Sequence, residues 1–192
     1  VYEVQNVGMQ HSLSAAANTT AWSNLMGELN LGTQATIIFP PGNYFHNGLV
    51  VTNKGNIAIM TMGRPGPTGP VGLYCVNPAV DSLRIEGGGN IRLSGFYVAH
   101  SVGSNTGIAA IRARDIAQLN ISDVSTWVSG SGSKNGLIID SFGAETFLTH
   151  VDRSYFIGHG ENGVTLGGSA SNRRVGETLL SECVINGNAL TG

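Results

Sequence analysis

Charge is the scarcest commodity in this chain of 192 residues. Charged side chains make up 11% of it and nearly cancel, leaving a net charge of −2. That excludes the basic footprint that nucleic acid requires. It also excludes a highly charged disordered tail, because 41% of the residues are hydrophobic. Cysteine is almost missing as well. Cys75 and Cys183 lie several repeats apart, so they read as small inward-facing hydrophobes rather than as a bridge, and no metal-ligand spacing involves them. No cofactor is indicated. No apolar run approaches the roughly 18 residues of a membrane-spanning helix, and no signal peptide is visible. Helical periodicity is missing from residue 36 onward.

What is abundant is glycine, with 28 residues, set among short runs of Ile, Val and Leu. A Gly-apolar-any-apolar pattern recurs at Gly48, Gly72, Gly107, Gly136 and Gly163, at spacings of 24, 35, 29 and 27. Asparagine precedes three of these glycines (Asn47, Asn135, Asn162), which is turn chemistry. A second marker runs between them: Leu93, Ile121, Val151 and Leu180, spaced by 28, 30 and 29. Two markers with one period indicate a solenoid. Short β-rich units broken by Gly, Asn and Ser specify strands rather than helix pairs. The expected fold is all-β: a right-handed parallel β-helix with coils of about 27–30 residues.

The run from Thr36 to Val51 anchors this reading. Thr36-Ile37-Ile38-Phe39 is a strand, Pro40-Pro41-Gly42 a corner, and Asn43-Tyr44-Phe45 starts the next strand. Two prolines cannot donate to a central ladder, so the first strand stops there. Before it, residues 18–31 carry the one amphipathic stripe, Trp22, Leu25, Met26 and Leu29, with Asn18 or Thr19 as cap and Gly32 as stop. Residues 1–35 therefore read as lead-in and capping helix, and residues 36–192 as coils. Thr191-Gly192 repeats the Thr106-Gly107 corner, so further coils or another domain are expected after Gly192. The Gly-X-Y triplets from Gly63 read as a stiff polyproline-like excursion, with a trimer-forming contact as the alternative.

Helix, apolar strand, Pro-Pro-Gly-Asn-Tyr corner and Gly/Asn-punctuated coils, in that order over residues 15–192, resemble the N-terminal half of pectin-lyase-like right-handed β-helices. They are most similar to the tailspike and appendage proteins of bacteriophages. The sequence departs from that pattern at Asn18-Thr19-Thr20, where many relatives carry Asp-Asp-Thr. The resemblance implies a homotrimer in a virion tail spike or appendage, in contact with other tail proteins, that binds or cuts bacterial surface polysaccharide. Its alternative is a secreted enzyme acting on pectin-type polymers.

Candidate chemistry follows from stacking. If Leu93, Ile121, Val151 and Leu180 are equivalent, the position two later reads Gly95, Asp123, Arg153 and Glu182. Asp123 and Glu182 would then lie about 9–10 Å apart, near the upper end of the carboxylate separation of about 6.5–9.5 Å in inverting glycosidases. Arg153 between them disfavours a general acid. The column is thus open to three readings: an exposed charge ladder, a catalytic pair, or a sugar-binding surface. Asp140 and Asp152 read as outward or corner carboxylates without an assigned partner, and Glu161 as a partner for Lys134. Tyr97, Trp127, Tyr155 and Phe156 form a sugar-stacking stripe if they point outward, and otherwise pack inward or against a second subunit. His159, in Gly158-His159-Gly160, matches one motif of polygalacturonases. Their Asn-Thr-Asp motif is replaced by Asn105-Thr106-Gly107, and the Asp-Asp and Arg-Ile-Lys motifs are missing, so His159 reads as a turn residue at the edge of the sugar-binding surface.

Overall fold

The computed structural model describes residues 1–62, 70–102, 107–126, 132–168 and 174–187; at 158, 159, 168 and 187 only the backbone is described. Trp127, the Gly-X-Y triplets at 63–69, and Thr191-Gly192 lie outside the described residues. In chain order the elements are β1 (Tyr2–Glu3), α1 (Ala15–Glu28), β2 (Ala35–Phe39), β3 (Gly42–His46), β4 (Leu49–Thr61), β5 (Val71–Cys75), β6 (Leu83–Ser94), β7 (Tyr97–His100) and β8 (Gly107–Arg114). They continue with β9 (Leu119–Ser122), β10 (Ser133–Ser141), β11 (Thr149–Asp152), β12 (Tyr155–His159), β13 (Asn162–Gly168), β14 (Thr178–Ser181) and β15 (Val184–Gly187). The described residues are mostly β with one helix, and every described strand pairing is parallel.

Three apolar columns run through these sheets. Leu49, Leu83, Ile111, Leu137 and Val164 are in register in the first. Ile37, Ile59, Leu93, Ile121, Val151 and Leu180 are in register in the second. Tyr44, Leu73 and Val98 start the third, which resumes with Phe156 and Ile185. The single-residue bridges Tyr97–Ser125 and Ser125–Tyr155 carry that third register across the gap. Inward residues alternate with outward ones along each strand, as the pleat requires. β2 shows it plainly: Ala35, Ile37 and Phe39 are buried, while Thr36 and Ile38 are half-buried.

The second marker of the sequence is therefore a true column, and it reaches back to Ile59 and Ile37. The glycine marker mixes unlike positions. Gly163 follows Gly136 in register, but Gly107 pairs with Ser133, and Gly72 lies in the third column's sheet between Asn43 and Tyr97.

Helix α1 departs from its expected bounds. It starts at Ala15, capped by Ser14, whose Oγ accepts from the Ala17 amide at 3.3 Å, and it ends at Glu28, with Leu29 as C-cap. Ala15-Ala16-Ala17 are strong helix formers but add nothing to an apolar stripe, so the stripe alone starts the helix too late. Asn18 is no cap. It is fully buried and bonds both backbone groups of Gln10 and the carbonyl of Phe45. Thr19 Oγ1 accepts from the Asn47 amide. This polar pair fixes the helix to the corner after β3. On the helix's apolar side, Trp22 donates Nε1–H to Val50 O at 2.9 Å, and its ring lies 6.0 Å from Phe39. Phe39 in turn meets Tyr44 and Phe96 edge-on at 5.2 and 5.7 Å.

Candidate functional site

The corner after each second-column strand carries the candidate residues. Gly95, Asp123, Arg153 and Glu182 all have positive φ, at 85°, 55°, 43° and 50°. Glycine adopts this conformation freely, whereas other L-residues pay about 1–2 kcal/mol for it. Three of the four layers nevertheless place a charged side chain there. Arg153 forks onto Asp123, Nε to Oδ1 and Nη2 to Oδ2, both at 3.0 Å, and its Nη1 also meets Asp152. Hydrogen bonding to Asp123 comes first, then the charges of Asp123, Asp152 and Glu182, in raising the Arg153 guanidinium above its ordinary pKa. Both oxygens of Asp123 accept from Arg153, so neither faces an incoming glycosidic oxygen unless the fork opens. The sequence places Arg153 between Asp123 and Glu182, and the register of β9, β11 and β14 agrees.

Two outward columns adjoin this corner. Ser94, Ser122, Asp152 and Ser181 are in register, as are Arg92, Asn120, His150 and Leu179. Ser181 donates its hydroxyl to Asp152 Oδ1 at 2.8 Å, and His150 Nε2 lies 3.1 Å from the same Ser181 oxygen. With the Ser181 proton given to the carboxylate, Nε2 is left to donate. This is not a nucleophilic relay, which needs the imidazole to take the serine proton and the carboxylate to hold the imidazole. Instead it is a small polar surface with its donors and acceptors fixed. Asp152, unassigned from sequence, belongs to it.

Tyr155 starts β12 and is half-buried, while Phe156 points into the core with no exposure. Tyr97 is 8% exposed. The stronger aromatic feature is one the sequence reading missed. Phe45 and Tyr74 stack at 5.6 Å with 27° between planes, and Tyr97 follows at 5.7 Å. Gly72 makes room for this, since a Cβ there would sit 2.3 Å from the Tyr74 ring. The alternation Tyr44-Phe45 and Leu73-Tyr74, with the first of each pair buried, is the signal that could have found it. His159 ends β12. Lys134 and Glu161 pair as expected, at 3.6 Å.

Asp140 corrects its sequence reading. It faces outward, yet it is buried under two arginines. Arg112 reaches it at 2.6 Å and also holds Asp81 at 2.8 Å, and Arg114 grips both its oxygens at 2.9 and 2.8 Å. The Arg114 guanidinium also lies 5.4 Å from the Phe142 ring centroid. Among the described residues no cluster of His, Cys, Asp or Glu could hold a metal ion, and no helix is long and apolar enough to cross a membrane.

No protein-family model and no curated protein matches the chain. Among the solved structures that share its fold are the following two. One is a putative glycosyl hydrolase from Parabacteroides merdae, with a TM-score of 0.58 and 14% identity, covering 100% of this chain and 98% of that one. The other is ORF18 of Geobacillus virus E2, with a TM-score of 0.69 and 12% identity, covering 99% of this chain. This chain spans 43% of the length of the Geobacillus virus protein. At these identities the likeness is one of fold alone.

Proposed function

We propose that the chain winds as a right-handed parallel β-helix, closed at one end by α1, and serves as the recognition segment of a phage tailspike-like virion protein. In its parent it is a homotrimer attached to other tail proteins, and its ligand is bacterial surface polysaccharide. Three parallel columns repeating at one period support the winding, and the fold shared with a Geobacillus virus protein supports the phage setting.

The observation that carries the glycan reading is the corner column. Asp123, Arg153 and Glu182 hold charged side chains at backbone positions that suit glycine better. They flank outward serines, Asp152 and His150, whose hydrogen-bonding groups are already fixed in place. Sugar hydroxyls are bound by such preset donors and acceptors. Tyr155 and His159 lie at the two ends of the strand that follows, and Trp127 completes the proposed set.

A second reading is enzymatic: the same surface cuts the polysaccharide, by hydrolysis or elimination, through Asp123 and Glu182. The fold shared with the Parabacteroides protein favours it. The test incubates the full-length parent with purified bacterial surface polysaccharides, following new reducing ends and the ultraviolet absorbance of unsaturated uronates. Saturable binding with neither signal is the expected result. New ends alone would establish a hydrolase, and both signals together a lyase. No binding across a panel that includes the natural host's glycan would leave a purely structural appendage shaft.

A further inference from the structure

The outward column Arg92, Asn120, His150 extends beyond Arg92 toward the helix end of the molecule. In register before Arg92 come Ala58 and Thr36. Both are small, so the surface sinks where they lie. Gln34, Asn56 and Asn90 stand beside them, and the result is an open groove of about 430 Å³ with Arg92 at its far side.

Its polar groups are unusually free. Asn90 donates Nδ2 to Asn56 Oδ1 at 2.7 Å, which orients both amides. That leaves Asn90 an acceptor oxygen and Asn56 a donor nitrogen. Among the described residues, Gln34, Thr36 and Arg92 make no side-chain hydrogen bond to the protein, and no carboxylate pairs with Arg92. Most other described arginines face a carboxylate: Arg84 pairs with Glu86, Arg112 and Arg114 with Asp140, and Arg153 with Asp123. An oriented amide pair beside an unclaimed guanidinium matches one ligand chemistry well. Amides read hydroxyls as donor and acceptor at once, and the guanidinium fork reads a planar or tetrahedral oxyanion in two places.

We propose that this groove binds an acidic saccharide unit, with Arg92 clamping its oxyanion and Asn56 and Asn90 reading its hydroxyls. The inference rests on the glycan reading above and deepens it. His150 is two layers from Arg92, about 9–10 Å by strand spacing, so one polysaccharide strand can lie in the groove and on the His150–Asp152–Arg153 surface together.

The test is binding of the full chain to three probes of matched length: an oligogalacturonate, a sulfated dextran oligosaccharide and plain dextran. Either acidic probe should bind saturably, and Arg92→Gln should weaken that binding about tenfold, the loss expected for a charge-assisted hydrogen-bonded pair. The melting temperature should not move, since Arg92 supports nothing else. The probe that binds tells carboxylate from sulfate. Acidic probes bound equally by wild type and Arg92→Gln would overturn the proposal. Binding of plain dextran alone, or of none of the three probes, would overturn it while leaving the glycan reading standing, and failure of the host's own polysaccharide to bind in the test above would remove both.

Discussion

Two outward surfaces of this molecule use the same chemistry to opposite ends. On the surface over the first column, Asp81, Arg112, Asp140 and Arg114 pair with one another, Asp81 through Oδ2 alone, and their side chains are 8–22% exposed. At the corner after the second column, Arg153 also holds aspartates, but its side chain is 52% exposed. Removing charge from water is costly, and a buried pair is retained only when its geometry returns that cost. An exposed pair returns little stability. The first network is therefore part of the fold, whereas the second contributes little to it and is the surface proposed above to meet the glycan.

The contrast breaks most visibly at Asp140. Asp140→Asn leaves Arg112 and Arg114 under-compensated in a dry setting and should cost about 3–5 kcal/mol. For a chain of this size that lowers the melting temperature by roughly 10 °C. A change of a degree or two, read by calorimetry, would mean that the network is as dispensable as a surface pair.

Enclosed polar groups inside the columns sharpen the same point. His46 is fully buried; its Nδ1 accepts from the Gly48 amide, and Nε2 has no partner among the described residues. Burial first, then the neighbouring His100, lowers its pKa to about 3. His100 is lowered too, chiefly by burial. The unfolded chain thus takes up these protons before the folded one does. Stability is complete above the ordinary histidine value of 6.5 and is lost as pH falls toward 3, by about 1.4 kcal/mol per pH unit for His46 alone. Denaturant titrations at pH 7 and pH 5 should differ by about 2 kcal/mol, and the difference should shrink in His46→Leu. An unchanged difference would show that surface carboxylates, not the enclosed histidines, set the acid limit.

How much of this could be read in the sequence depends on what each residue type is for. Leu93, Ile121, Val151 and Leu180 are apolar for one reason, core burial in register, so their spacing located the column. Glycines serve several ends. Gly48 has a φ of +114°, Gly72 yields space to the Tyr74 ring, and Gly107 lies under His100, whose ring atoms a Cβ would meet at 2.4 Å. A pattern of glycine letters therefore could not align the layers. The Asp123, Arg153, Glu182 corner was legible because it lies at a fixed offset from the column. The Asp140 network was not, because its partners come from strands aligned through the first column. The alternation Ile111-Arg112-Ala113-Arg114 against Ile138-Ile139-Asp140 held that information, 28 and 26 residues apart. Asn18 was misread because a buried asparagine that joins a loop to a strand looks, as a letter, like a helix cap.

The smallest expected effect concerns the backbone of the exposed corner. Glu182→Asn places a residue tolerant of positive φ where glutamate is strained, and it should stabilise the chain by a few tenths of a kcal/mol, roughly. The accompanying expectation is weaker glycan binding. A variant that is both more stable and a better binder would argue that Glu182 has no part in recognition.

The most direct measurement is calorimetric titration of host surface polysaccharide into wild type and Arg153→Gln, each also melted alone. A large loss of binding in Arg153→Gln, with no measurable shift in melting temperature, is the expected result. A variant that melts early while binding normally would contradict it, and would return Arg153 and its aspartates to the scaffold alongside Asp140.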